Sequence, residues 1–231
     1  MDLKIVNSAV VIDCKYSTVD YSFVFDLQKK YRTIVLKQTN FSTEKFLDLG
    51  RFLGNLTNYS SESFFTHPAY KEILQISYIN ENNERNGFFG TNKLNWHNDG
   101  TTNNQQNYAH SLYCAKPGKK GNTFYLDGQT AFDACRFDEK EYFRNISFDL
   151  EYQTGSIYDC DDLEENYLDN GKNQKKFLVQ THPLTKLEGF YWPFTYIKRM
   201  YYKDIPLDTM DQERLITLLH SKIFKNKFIY E

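Results

Sequence analysis

Apolar residues in this sequence come in short runs closed by turn-forming residues, and that punctuation restricts the fold more than any other feature. Ile5-Val6 and Val10-Val11-Ile12 suit two short strands, and Thr33-Ile34-Val35-Leu36-Lys37 is a β-branched run that reads as a buried strand. Further strands are expected over 72–79, 110–115, 122–126 and 177–181. Gly189 to Trp192 is expected to pair with the last of these across a turn at 183–188. The polar stretches 80–87 and 102–107, the Lys116-Pro117-Gly118 turn and an acidic, then Asn- and Lys-rich excursion at 159–176 supply the breaks.

Helices are fewer. Phe23 to Lys30 suits the first. Ser42 caps a second, with Glu44 in its positive first turn, Gly54 after its last turn, and Phe46, Leu49, Phe52 and Leu53 as its apolar face. A short helix is expected from Gln129 to Cys135. Asp208 caps a last one from Thr209 to about Lys222, with Leu215, Leu218 and Leu219 on its apolar side. The pattern predicts a mainly β fold, a sandwich or barrel with helical decoration.

A chain of 231 residues can bury a sizeable core. No internal repeat, Pro-rich linker or composition shift marks a boundary, so a single domain over 1–231 is expected. With 18 Tyr and 19 Phe, the core should be aromatic-rich. The net charge of −2 and pI near 6.2 give no electrostatic footprint for nucleic acid or an anionic membrane. Cys14, Cys114, Cys135 and Cys160 show no Cys-x-x-Cys spacing, which points to free thiols in a reducing compartment. The start, Met1 to Val6, lacks a signal-peptide pattern, and no apolar run approaches the roughly 20 residues of a membrane span. A soluble, cytoplasmic protein is expected.

The chemistry centres on Leu94-Asn95-Trp96-His97-Asn98-Asp99-Gly100-Thr101. In an extended chain, alternate side chains share a face, so His97 and Asp99 point the same way. A lone His-x-Asp is more often a surface pair beside a turn. An imidazole next to a carboxylate is nevertheless two thirds of the 2-His-1-carboxylate triad that holds non-haem Fe(II).

The order of segments lifts the pair above that ordinary reading. Phe41 to Phe46 leads through Gly50-Arg51-Phe52-Leu53-Gly54 to Trp96-His97-Asn98-Asp99-Gly100-Thr101. Ser111 to Pro117, Gly121-Asn122-Thr123-Phe124-Tyr125-Leu126-Asp127 and Thr181-His182-Pro183-Leu184-Thr185 follow. In this order the chain resembles the TauD/TfdA family of Fe(II)/2-oxoglutarate-dependent dioxygenases over about residues 33 to 222. The resemblance implies a double-stranded β-helix (jelly roll). It gives His97 and Asp99 the places of the first two iron ligands. Thr123, 26 positions after His97, falls where the family supplies a hydroxyl to the carboxylate of 2-oxoglutarate; the segment here reads Gly-Asn-Thr rather than Gly-Asp-Thr. The implied activity is hydroxylation of a small-molecule substrate, with 2-oxoglutarate and O2 consumed and succinate and CO2 released. Retention of Asp99 favours hydroxylation over halogenation, because halogenases of this broad class replace the carboxylate with a small residue.

The family also carries a distal His and a later Arg, both on strands after the last helix. This chain reaches Phe228-Ile229-Tyr230-Glu231 where that strand is expected to begin, so a C-terminally truncated member lacking its last strands is expected. Of the other histidines, His220 sits near a helix end, where a cation is favourable. His182 lies in a Thr-His-Pro strand end. His110 reads as a core or substrate-side residue, and His67 as a loop residue with a weak case for touching substrate. Lys93 and Arg85 are further weak candidates for an anionic substrate. Two readings stand: an oxygenase, or a catalytically incomplete jelly roll that binds a ligand or partner. A zinc hydrolase ranks last for want of a Glu base and a third ligand. Substrate identity and homo-oligomeric assembly are left open.

Overall fold

The computed structural model of the protein describes residues 2–15, 18–58, 66–76, 96–100, 107–116, 122–150, 174–193 and 197–230. Thirteen strands and five α-helices lie among these residues, in agreement with a mainly β chain carrying helical decoration.

The chain opens with β1 (Asp2–Val6) antiparallel to β2 (Ala9–Asp13), and β2 runs parallel to β3 (Thr33–Lys37). The crossover between the parallel strands is α1 (Tyr21–Gln28), started by Asp20, whose carboxylate accepts the Ser22 and Phe23 N–H groups. Val10, Ile12, Cys14 and Leu27 form a small core under this sheet. Helix α2 (Thr43–Leu53) begins at Ser42 as expected, its hydroxyl accepting the Lys45 N–H. Its buried residues are Leu47 and Leu49. Phe52, expected on the apolar face, is half exposed and lies against the Tyr21 and Phe25 rings of α1.

After the hairpin β4 (Thr66–His67) and β5 (Tyr70–Leu74), the described chain continues through β6 (Tyr125–Leu126), α3 (Gly128–Asp133), α4 (Phe137–Arg144) and β7 (Ile146–Leu150). It then forms β8 (Gln174–Phe177), the hairpin β9 (Val179–Thr181) and β10 (Glu188–Phe190), and β11 (Ile197–Tyr202) with β12 (Ile205–Pro206). Helix α5 (Thr209–Ile223) and β13 (Ile229–Tyr230) close it. The largest sheet is antiparallel, in the order β12-β11-β7-β8.

The main core lies against that sheet. Ile146, Phe148 and Leu150 of β7 meet Phe132, Phe143, Leu178, Phe190, Trp192 and the inner face of α5, formed by Leu215, Leu219 and Ile223. The expected aromatic core is there, and Phe132, Phe143 and Phe190 pack edge to face. Gly128 permits the close approach of α3 to β10, since a Cβ there would meet the Phe190 carbonyl oxygen at 2.5 Å.

Three expected strands differ from the sequence reading: that over 72–79 is paired at Tyr70–Leu74, with 77–79 outside the described residues. Residues 107–116 form no ladder, and the 122–126 segment pairs only at Tyr125-Leu126, against β13. A ladder partner for such a segment is distant in sequence, and local alternation does not reveal whether one exists. The expected loops 80–87 and 102–106, the turn at 117–121 and most of the 159–176 excursion lie outside the described residues. Cys14, Cys114 and Cys135 are free thiols, and no described helix is long and apolar enough to cross a membrane.

Two stability effects follow. The buried Asp127 carboxylate caps α3 by accepting the Thr130 N–H at 2.9 Å and the Thr130 hydroxyl at 2.6 Å. Asp127→Ala is expected to cost about 2 kcal/mol in urea unfolding. Between α4 and α5, Lys222 Nζ donates to Glu139 at 2.5 Å, with the two side chains 24% and 11% exposed. Lys222 holds the Glu139 carboxyl below its ordinary value. A carboxyl depressed by folding stabilises the fold above its ordinary value and loses that contribution as the pH falls through the lowered one. Glu139→Gln is expected to cost at most about 1 kcal/mol at neutral pH, and its difference from wild type should shrink on acidification in denaturant titrations.

Candidate metal centre

Residues 96–98 lie in no ladder, and Asp99-Gly100 is a turn, so side chains fix the motif. Gly100 takes φ 66°, the left-handed conformation that glycine adopts without steric cost. Asn98 Oδ1 accepts the Trp192 backbone N–H at 3.1 Å, tying the motif to the end of β10. On the other side, the Trp96 ring lies 5.6 Å from Phe224 at the end of α5, and Phe224 meets His220 edge-on at 5.0 Å. The motif is therefore held between the β9–β10 hairpin and the C-terminus of α5.

In that setting the His97 and Asp99 side chains meet, with Asp99 in a turn rather than on the strand that the expectation assumed. His97 Nε2 stands 3.2 Å from Asp99 Oδ1, with His97 mostly buried and Asp99 half exposed. The bond from His97 holds the Asp99 carboxyl below the usual carboxylate range, and the nearby His110 adds to this against the opposing effect of burial. Adjacent ligands about 2.1 Å from an octahedral ion are about 3 Å apart. The two donor atoms thus converge at a separation that fits neighbouring metal positions.

His110 completes an arrangement that the sequence did not suggest. Its Nδ1 lies 3.7 Å from Asp99 Oδ2, so each carboxylate oxygen faces its own imidazole. The expectation of a core residue is corrected: His110 is exposed, on a segment without a ladder. No local signal marks the pairing, because it joins residues eleven positions apart through an irregular chain path. Among the described residues, no three His, Cys, Asp or Glu side chains form a closed metal site.

Thr123 is exposed, two residues before Tyr125. Burial raises the Tyr125 phenol above its ordinary value, and the charge of Asp99 raises it further. Tyr125 stacks on Tyr230 of β13, whose hydroxyl is 2.8 Å from Thr33 Oγ1. β6 and β13 are thereby joined to the N-terminal sheet. His67 is half buried at the end of β4, its Nδ1 accepting the Ala69 N–H at 3.1 Å and its ring 5.1 Å from Tyr70. His182 uses both ring nitrogens within the fold: Nδ1 accepts the Leu184 and Thr185 N–H groups, and Nε2 bonds to the Tyr108 carbonyl. Lys93 and Arg85 lie outside the described residues.

The chain belongs to the TauD/TfdA dioxygenase family: the family model "Taurine catabolism dioxygenase TauD, TfdA family" matches residues 15–231. Enzymes of this family use Fe(II), 2-oxoglutarate and O2. The structure resembles that of AAD-2 in complex with Mn(II) and N-oxalylglycine, at TM-score 0.69 and 14% identity, covering 99% of this chain and 84% of that one. A putative α-ketoglutarate-dependent taurine dioxygenase from Burkholderia xenovorans matches at TM-score 0.69 and 12% identity, over 99% and 75%. A putative α-ketoglutarate-dependent 2,4-D dioxygenase from the same organism matches at 0.62 and 14%, over 99% and 81%. At these identities the likeness is one of fold, and it shows the expected jelly roll. No curated protein matches the sequence significantly.

Proposed function

We propose that residues 1–231 form one Fe(II)/2-oxoglutarate-dependent oxygenase domain that hydroxylates a small-molecule substrate. In this reading His97 and Asp99 hold iron, and Thr123 binds the carboxylate of 2-oxoglutarate. The observation that carries it is the convergence of His97 Nε2 and Asp99 Oδ1 at 3.2 Å on the Gly100 turn, in a chain of a dioxygenase family.

Bound Fe(II) would supply the chemistry by which O2 cleaves 2-oxoglutarate to succinate and CO2, one oxygen atom entering succinate and the other the substrate. The residues of this chain prepare that site. Asp99 brings a negative charge and a ligating oxygen. His97 would give the metal its Nε2, the ring atom that faces Asp99 Oδ1 at 3.2 Å. The backbone bond to Asn98 and the Trp96–Phe224 contact fix the direction from which both ligands approach. Thr123 offers a hydroxyl from the segment leading into β6. The second reading is a jelly roll that binds a ligand or partner without turnover.

The two readings separate in one assay. The protein is incubated with Fe(II), ascorbate, O2 and 2-oxoglutarate, alone and with a panel that includes taurine and 2,4-D, and succinate is measured. Fe(II)-dependent succinate formation is expected. Binding of 2-oxoglutarate with no succinate under any condition would overturn the oxygenase reading in favour of the second.

A further inference from the structure

The two oxygens of Asp99 are engaged separately. Oδ1 faces His97 Nε2 at 3.2 Å, and Oδ2 faces His110 Nδ1 at 3.7 Å. If Oδ1 ligates a metal, as in the function proposed above, the fate of Oδ2 decides how many positions stay open. A carboxylate with a free second oxygen can swing and chelate through both. That would take one of the positions that a chelating 2-oxo acid and O2 need. A donor held against the second oxygen prevents this, and such outer partners orient ligating carboxylates generally.

His110 stands where that donor is required. The gap of 3.7 Å exceeds hydrogen-bond length by about 0.5–1 Å, a distance closed by a small side-chain rotation. Its backbone is anchored although the segment has no ladder. Tyr108 donates its hydroxyl to the Leu53 carbonyl at the end of α2, and its own carbonyl is bonded to His182 Nε2 at 3.1 Å. Tyr113 donates to the Phe41 carbonyl at 2.6 Å and stacks on Phe46 at 5.5 Å. These bonds pin the chain on both sides of His110, to α2 and to the β9–β10 turn.

We propose that His110 is a positioning residue that holds Asp99 Oδ2 through Nδ1, so that the carboxylate ligates the metal through Oδ1 alone. The inference rests on His97 and Asp99 being metal ligands. Its test therefore reads metal binding and co-substrate chelation rather than turnover.

Co(II) is titrated into wild type, His110→Ala, His110→Asn and His97→Ala, with calorimetry and visible absorption as readouts. 2-Oxoglutarate is then titrated into each Co(II)-loaded form. His110→Ala is expected to bind Co(II) about 10–100-fold more weakly. Its Co(II) form should also bind 2-oxoglutarate more weakly. His110→Asn, whose amide N–H occupies the place of Nδ1, should recover most of both, which a merely structural role for His110 would not produce. Unchanged Co(II) and 2-oxoglutarate binding in His110→Ala overturns the positioning role and leaves the metal site standing. Loss of Co(II) as complete as in His97→Ala, with no recovery in His110→Asn, makes His110 a ligand and also overturns it. Wild type that fails to bind Co(II), or His97→Ala that binds like wild type, overturns the metal site itself.

Discussion

Asp99→Ala is expected to abolish Fe(II)-dependent succinate formation, a fall of at least about 1,000-fold in kcat/KM. The substitution removes the anionic ligand and leaves the His97 and His110 imidazoles without the carboxylate they share. A divalent ion would then rest on a single identified ligand. The fold should be almost unaffected, since the Asp99 side chain is 48% exposed and the surrounding motif is held by Trp96 and Asn98 rather than by Asp99. A change within about 0.5 kcal/mol is expected in thermal or urea unfolding. Asp99→Glu keeps the charge but extends the carboxylate by one methylene, moving it off the 3.2 Å approach to His97. It should retain weakened metal binding with little turnover. Succinate release at a tenth or more of the wild-type rate by the stable Asp99→Ala protein would remove Asp99 from the iron site.

Much of this arrangement is legible in the sequence, where local chemistry decides local structure. Ser42 and Asp208 cap the helices they are expected to cap. The β9–β10 hairpin falls where the turn residues put it. What is not legible depends on partners remote in the chain. The central strand β7 is absent from the sequence reading, although Ile146, Phe148 and Leu150 alternate with Ser147 and Asp149. Ser147 is buried as well, because the strand sits between two neighbours under a helical cover, and burial on both sides blurs a two-residue period. Residues 110–115 have the opposite problem. Their alternation is acceptable for a strand, but among the described residues no partner strand accompanies them, and tyrosine-to-backbone bonds hold them. His110 could be placed beside Asp99 only once that path was known.

Phe148→Ala is expected to cost about 3–5 kcal/mol, a large share of the roughly 5–15 kcal/mol that stabilises a domain. Phe148 is fully buried at the middle of β7, opposite Met200 of β11 and edge-on to the Trp192 ring at 5.7 Å. Neighbouring Ile146 and Leu150 are equally buried and belong to the same core as Phe143 and Trp192, so little can move in to fill the space. Phe177→Ala on the adjacent strand β8 makes the control. That ring is 50% exposed, and its removal should cost less than about 1 kcal/mol. Urea midpoints measured at constant m-value give both numbers. The core defect should also reach the metal centre. Trp192 packs on Phe148 with its ring and holds Asn98 with its backbone N–H, and Asn98 lies between the two proposed ligands. Under conditions where Phe148→Ala remains folded, it should bind Co(II) more weakly than Phe177→Ala does. Equal Co(II) affinity in the two folded variants would show that the motif keeps its geometry without the Trp192 contact.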